Sequence, residues 1–272
     1  MEYEIKPQSK VSINFKELRD FSELFYFFTW RDIKVKYKQT ILGFLWVVLQ
    51  PIFMTLIFTV FFGETIKEKT QMAVPYSVFA LSGMLIWGIF SNGMSNSANS
   101  MIVNANIIKK IYFPRLIIPI SSVLVALFDF VIALVFFLIF IFSIGVSINY
   151  TNLLLIPIAV VITVLTSIGA GCWLGALNVK FRDVRYVIPF LVQGLLFLSP
   201  VMFPTNISKN EYVQILLKLN PLSGALELMR SIFIGYQVDY NTVYLSLISS
   251  IVLFIFGIYF FKKTEAYFAD LA

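Results

Sequence analysis

One stretch of the sequence places amide and hydroxyl side chains inside an otherwise apolar run. The run is apolar from residue 74 to about residue 90 and then continues as SNGMSNSANS. A helix there would put four of these polar side chains on one face: Asn92, Ser95, Asn96 and Asn99. Such groups avoid lipid, so they either pack against other helices or line a hydrophilic conduit. The residues alone leave both interpretations open.

A single carboxylate, Asp129, interrupts the apolar run 118–148. An ionisable residue near the middle of a membrane is a functional candidate. Because no Lys, Arg or His lies within a predicted span to pair with it, we expect Asp129 to make a hydrogen bond between packed helices.

Several kinds of chemistry are excluded. The chain has no His, so it lacks imidazole acid–base catalysis and His-ligated metals. It also lacks a GxxxxGKS/T run, the loop that cradles nucleotide phosphates. The only cysteine, Cys172, cannot form an intrachain disulfide. We therefore expect no active site, metal or cofactor in this chain.

The composition is that of a membrane protein. Of 272 residues, 59% are hydrophobic and 13% are charged, and the mean hydropathy is +0.85. A soluble fold of this size would carry about twice that share of charged residues. Most Lys and Arg fall in the predicted cytoplasmic stretches, so the net charge of +6 reflects membrane topology and not nucleic-acid binding.

The apolar runs predict an all-α protein with six transmembrane helices. The spans are expected at about 41–62, 74–104, 118–148, 153–177, 187–203 and 242–261. The first is uncharged and roughly 33 Å long as a helix. The charged segment 63–73 is expected to be an exterior loop, and both termini are placed in the cytoplasm. Gly171 and Gly175 form a GxxxG step that would let another helix approach closely.

Two further elements flank the spans. Residues 1–40 are predicted to form a cytoplasmic leader, with an amphipathic interface helix that ends near Trp30. Residues 41–272 would then be one membrane domain. Within it, 204–241 holds two apolar pieces that are too short to cross, which predicts a re-entrant exterior hairpin. Up to this point a transporter subunit, a membrane-embedded lipid or sugar transferase and a structural subunit all fit.

Four separated stretches resemble the permease subunits of bacterial ABC transporters that export lipid-linked polysaccharides such as O-antigen, capsule or teichoic acid. They are RDIKVKYKQTILGFLWVVLQP at 31–51, KKIYFPR at 109–115, NVKFRDVRYVIPF through LSPVMFP at 178–204, and NPLSGALELMR at 220–230. Their order and the six predicted spans extend this resemblance over nearly the whole chain.

The resemblance implies a non-enzymatic half-transporter in the bacterial inner membrane. It would act as a homodimer with two separate cytoplasmic ABC ATPase subunits, which would bind ATP and Mg. The cargo would be an undecaprenyl-diphosphate-linked glycan, moved outward from the cytoplasm amid membrane lipid. Another lipid or drug cargo, or less readily a membrane glycan transferase, remains as the alternative.

The resemblance also implies roles for four groups of residues. A loop coupled to the ATPase would comprise Asn104, Asn106, Ile107, Ile108, Lys109 and Lys110. The lipid pyrophosphate would approach Arg31, Lys34, Lys36 and Lys38. The conduit would be lined by Trp87, Phe90, Asn92, Ser95, Asn96, Asn99 and Tyr112, since aromatic faces stack on sugars while amides and hydroxyls exchange hydrogen bonds with them. The exterior gate would include Tyr212, Leu216, Pro221, Glu227 and Arg230.

Overall fold

A computed structural model describes residues 15–265, except 39, 41, 71–73, 206, 208–209 and 236–237. The described residues form α-helices and one short 3-10 helix, Tyr150–Leu155. The α-helices are α1 (Phe15–Asp20), α2 (Ser22–Lys38), α3 (Leu45–Thr70), α4 (Tyr76–Val103), α5 (Ala105–Ile108), α6 (Ile117–Ile144), α7 (Ile156–Lys180), α8 (Val184–Leu198), α9 (Glu211–Leu219), α10 (Ser223–Ile234) and α11 (Tyr240–Thr264). The predicted placement of the termini concerns 1–14 and 266–272, which lie outside the described residues.

Five helices in the described ranges are long and apolar enough to span a membrane. They are α3, α4, α6, α7 with the 3-10 turn before it, and α11. The sixth predicted span, 187–203, is the 15-residue helix α8, which ends at Leu198. The helix stops there because Pro200 disfavours the α conformation at the residue before it, and Ser199 is accordingly extended, with φ −98° and ψ 145°. Six complete crossings therefore stay a prediction.

The predicted exterior loop 63–73 is wrong over most of its length, because α3 continues as a helix to Thr70. Its sequence GETIKEKT is charged, and a charged stretch between two apolar runs is typical of a loop. Glu and Lys are good helix formers, and Ile66 on the inner side is 7% exposed. The first span therefore continues as a helix past its apolar part.

The helix predicted in the leader extends further and is divided in two. It divides at Phe21 into α1 and α2, and α2 runs past Trp30 to Lys38. Phe28 and Ile33 are buried, and the Thr29 hydroxyl donates to the Ser121 carbonyl of α6 at 3.4 Å. The leader helix thus packs on the membrane domain along α6.

Helix α4 is the centre of the packing. In its most apolar window 78% of the residues are buried, against 11% in α3. Gly171 of α7 meets α4 so closely that a Cβ there would lie 2.4 Å from the Ser97 hydroxyl oxygen. Gly175, one turn on, faces Ala98. The predicted GxxxG step therefore does bring two helices together.

Two helices form within the segment 204–241 where the hairpin is predicted, and they differ in burial. Every residue of α10 from Ser223 to Phe233 is buried, whereas Leu217 is the buried residue of α9. The end of α10 is held near the 3-10 turn, where the backbone N–H of Asn149 donates to the Ile232 carbonyl at 2.8 Å. Helix α10 therefore belongs to the core of the bundle, while α9 lies at its surface.

Candidate functional site

A cavity of about 680 Å³ lies between α2, α3, α4 and α6. Helix α4 positions its polar wall, because the residues after Phe90 repeat amides at helical spacing on the side that faces α3. Its polar and aromatic lining residues are Asp32, Lys36, Tyr37, Thr40, Trp46, Gln50, Trp87, Ser91, Asn92, Asn96, Asn99, Ser100, Asn104, Ser122, Asp129 and Phe130. The remaining wall is apolar, with Met54 and Leu85 among its members.

The predicted conduit residues divide between this cavity and other places. Lining it are Trp87, Asn92, Asn96 and Asn99. The Phe90 ring is buried, with its centroid 5.4 Å from that of Trp87. Ser95 offers its carbonyl to the Asn99 amide at 2.8 Å.

Tyr112 does not join this set. It is 74% exposed, and its hydroxyl donates to Glu17 of α1 at 3.1 Å. It belongs to the segment after α5, away from the cavity.

Asp129 makes the expected hydrogen bond between packed helices, but the carboxylate also has a cationic partner, which the sequence did not predict. The Lys36 ammonium lies 2.5 Å from one carboxylate oxygen, and the Tyr37 hydroxyl donates to the other. Both partners come from the leader helix and are more than ninety residues away in the chain. Burial, and then the bond to Asp129, raise the pKa of Tyr37 well above its usual range, so Tyr37 is a hydrogen-bond donor at neutral pH.

The four cations predicted to meet a pyrophosphate have different surroundings. Arg31 donates to Asp32 and, at 2.7 Å, to the Asn104 side chain. Lys36 is engaged with Asp129, as described above. Lys34 is exposed above the Trp30 ring, and Lys38 is exposed as well. The leader thus uses two of these cations to hold its own fold and leaves two at the surface.

The predicted coupling loop comprises α5 and the turn after it. Asn106, Lys109 and Lys110 are exposed, Ile107 is half-buried, and Asn104 and Ile108 are buried. The segment is held at both ends, because Arg31 bonds Asn104 and the Arg115 guanidinium donates to the Glu265 carbonyl at the end of α11. The exposed Lys109 and Lys110 therefore lie on a segment that is held by hydrogen bonds at both ends.

The predicted gate residues do not form one cluster. Tyr212 and Leu216 are exposed on α9, and the Pro221 carbonyl accepts from Ser246 of α11 at 2.6 Å. Glu227 is buried and accepts from the Thr205 hydroxyl at 2.9 Å. Arg230 is 1% exposed; it donates to the Val201 carbonyl at 2.5 Å and lies 3.6 Å from the Phe79 ring centroid. The two charged residues tie the segment before α9 to the bundle.

Sequence reasoning missed several lining residues. Gln50 is not among the predicted conduit residues, although an amide in an apolar span is a signal for a polar interior. Asp32 and Tyr37 lie on the leader, and Trp46 opens the first span. Their place at the cavity depends on how α2 folds back on α6, which no local pattern encodes.

These helices and this cavity define a multi-pass membrane protein with a polar interior. The family model described as ABC-2 type transporter matches residues 23–234, and the chain belongs to that family. It is a multi-pass protein of the inner membrane.

Relatives match most of the chain. An O-antigen export system permease protein RfbA from Klebsiella pneumoniae is 27% identical over 89% of this chain and 92% of its own length. A protein of the same name from Myxococcus xanthus is 26% identical over 82% and 85%. The polysialic acid transport protein KpsM of Escherichia coli is 27% identical over 86% and 91%.

Proposed function

We propose that this chain is the membrane subunit of an ATP-driven exporter of lipid-diphosphate-linked polysaccharide. The observation that carries the proposal is the cavity of about 680 Å³ beside the amide face of α4. Amides both donate and accept hydrogen bonds, and Trp46 and Trp87 offer flat faces to sugar rings. The relatives named above, which are similar over most of this chain, are O-antigen export and polysialic acid transport proteins.

The assembly we propose contains two copies of this chain and two ATPase subunits. The sequence has no phosphate-binding loop, so ATP hydrolysis must occur on a partner. The exposed cations Lys109 and Lys110, on a segment anchored at both ends, would receive the movement of that partner. Only 11% of the residues in the apolar window of α3 are buried within this chain, which supports contact between this helix and the second copy.

The contacts refine where a lipid pyrophosphate would approach. Lys34 and Lys38 are exposed on the leader, and they remain the better candidates. Arg31 and Lys36 would first have to leave Asp32 and Asp129. On the opposite side, α9 with Tyr212 and Leu216 would act as the movable part of a gate, because α10 is fixed in the core.

A second candidate cargo, a small lipid or a drug, is favoured by a different cavity. It measures about 450 Å³ and lies between α3, α4 and α6, on the other side of α3 from the polar one. Its lining is almost wholly apolar, with Thr55, Thr59 and Ser77 as the polar residues. Because it lacks amides and indoles, it suits a hydrocarbon chain better than a sugar.

Co-purification with the ATPase encoded beside this gene tests the proposal. We expect a complex of two plus two whose assembly or ATPase activity is lost in Lys110→Glu. Lys263→Glu reverses another exposed lysine, at the end of α11, and should leave both intact. In cells that lack this subunit, the wild-type chain should restore polysaccharide at the surface. A chain that purifies without any ATPase and restores no polysaccharide would contradict the proposal.

A further inference from the structure

The charges at the polar cavity are already neutralised. Its charged lining residues, within the described part of the chain, are Asp32, Lys36 and Asp129. Lys36 lies 2.5 Å from Asp129, and Arg31, just behind the wall, lies 2.7 Å from Asp32. Each cation at the cavity is thus engaged by a carboxylate, and the lining itself carries one more negative than positive charge.

We infer from this arrangement that the glycan carried by this chain is uncharged, an inference that rests on the proposed function. The relatives do not indicate whether the glycan is charged, because the O-antigen export protein and the polysialic acid transport protein are both 27% identical to the chain. The chemistry of the cavity does distinguish a neutral glycan from an acidic one.

An acidic glycan would lack a counter-charge in this cavity. To pair strongly with Lys36 it would have to compete for the ammonium with Asp129, whose side chain is only 5% exposed. That exchange would leave a buried carboxylate without its cation, which is costly in a region of low dielectric. Arg31, behind the wall, is held by Asp32 and offers no counter-charge either. Successive acidic sugars would meet the same barrier.

A neutral glycan meets the complementary chemistry. Gln50, Asn92 and Asn96 present amides that can donate to or accept from sugar hydroxyls. Trp46 and Trp87 line the same space. Neutral hydrogen bonds of this kind are individually weak in net terms, so a sugar can be exchanged for the next one.

Tryptophan fluorescence of the full-length chain in phosphatidylcholine nanodiscs tests the inference. The chain has four Trp, and the double variant Trp30→Phe/Trp173→Phe keeps only the two that line the cavity. We expect maltohexaose to change this signal. A sialic acid hexamer should bind at least about tenfold more weakly than maltohexaose. Equal or tighter binding of the sialic acid hexamer would overturn the inference and leave the proposed function standing.

A charge placed in the cavity provides the second arm. Asn96 is exposed within it, so Asn96→Lys should fold and should bring the sialic acid hexamer to within a few-fold of maltohexaose. Asn96→Gln is the matched neutral control and should keep the wild-type preference. An unchanged ratio in Asn96→Lys would overturn the inference. If neither glycan changes the signal, the cavity is not a sugar site and the inference falls, while the export and ATPase assays above still decide the proposed function.

Discussion

The ammonium of Lys36 in the leader helix lies 2.5 Å from the carboxylate of Asp129 in α6. The two side chains differ in exposure, 39% for Lys36 and 5% for Asp129. This ion pair, with the Tyr37 hydroxyl beside it, makes the leader part of the polar interior of the membrane domain. Helix α2 is therefore held by a specific electrostatic contact in addition to the packing of Phe28 and Ile33.

The unequal exposure predicts unequal effects of removing each partner. Lys36→Met should lower the free energy of unfolding by about 1–3 kcal/mol, because it leaves a buried carboxylate without its cation. Asp129→Asn should cost less, since water can reach the freed ammonium. In a double-mutant cycle measured by unfolding in detergent, the two losses should not add. Additive losses would show that the pair is not coupled.

Tyr37 predicts a pH dependence above the neutral range. Its pKa is raised in the folded state by burial and by Asp129, so the stability that it contributes is complete below about pH 10, the unfolded pKa. That contribution is lost as the pH rises further, because the unfolded chain releases the proton first. Tyr37→Phe should lower stability by about 1 kcal/mol at pH 8 and flatten its decline between about pH 10 and 11. A variant with the slope of the wild type would refute this role.

Asn104 and Asn106 form a matched pair for comparison at the predicted coupling loop. Asn104 is 5% exposed, accepts from Arg31 and donates to the Ser100 carbonyl. Asn106 is exposed. Asn104→Ala should cost about 1–2 kcal/mol, and cleavage of the leader by protease should become faster. Asn106→Ala should leave both properties at wild-type values, so equal behaviour of the two variants would refute the anchoring role of Asn104.

The crossing of α7 and α11 predicts a large effect of one methyl group. A Cβ on Gly257 would lie 2.0 Å from the Gly169 carbonyl oxygen, so Gly257→Ala must push two backbones apart. Overpacking of this kind costs about 1–3 kcal/mol or more. The control is Gly194→Ala in α8, where a Cβ meets nothing within 4 Å; that variant should be neutral or slightly stabilising. Thermal unfolding in detergent compares the two, and equal melting temperatures would contradict the close crossing.

How far the sequence predicts this structure depends on the range of the signal. Hydropathy locates α4, α6, α7 and α11 to within a few residues, and the two short apolar pieces within 204–241 predict α9 and α10. It misplaces the end of α3, because a charged stretch predicts a loop even though Glu and Lys are good helix formers. It also places the end of α8 too late, because the apolar run continues past Pro200 whereas the helix ends at Leu198.

The candidate site follows the same division. The amide face of α4 is a local, periodic signal, and three of its four predicted residues line the cavity. The pairing of Lys36 with Asp129 spans 93 positions, and no spacing rule connects a leader cation with a carboxylate in a later span. The cations therefore look free in the sequence, and only the folded chain reveals which of them are engaged.

Helix α9 is tied to the start of α11 by an ion pair that predicts acid sensitivity. Lys218 of α9 lies 3.0 Å from Asp239, which also accepts from the Thr242 hydroxyl at 2.8 Å. Burial alone would raise the pKa of Asp239, but the bonds from Lys218 and Thr242 lower it below its usual value. A lowered folded pKa contributes stability that is present above about pH 4 and is lost as the pH falls through the folded pKa. The pair is more than a third exposed, so the effect should be below about 1 kcal/mol. Lys218→Met should reduce the loss of protection of α9 amides from hydrogen exchange between pH 6 and pH 3. If the wild type and this variant lost protection equally on acidification, the ion pair would not be what holds α9 against α11.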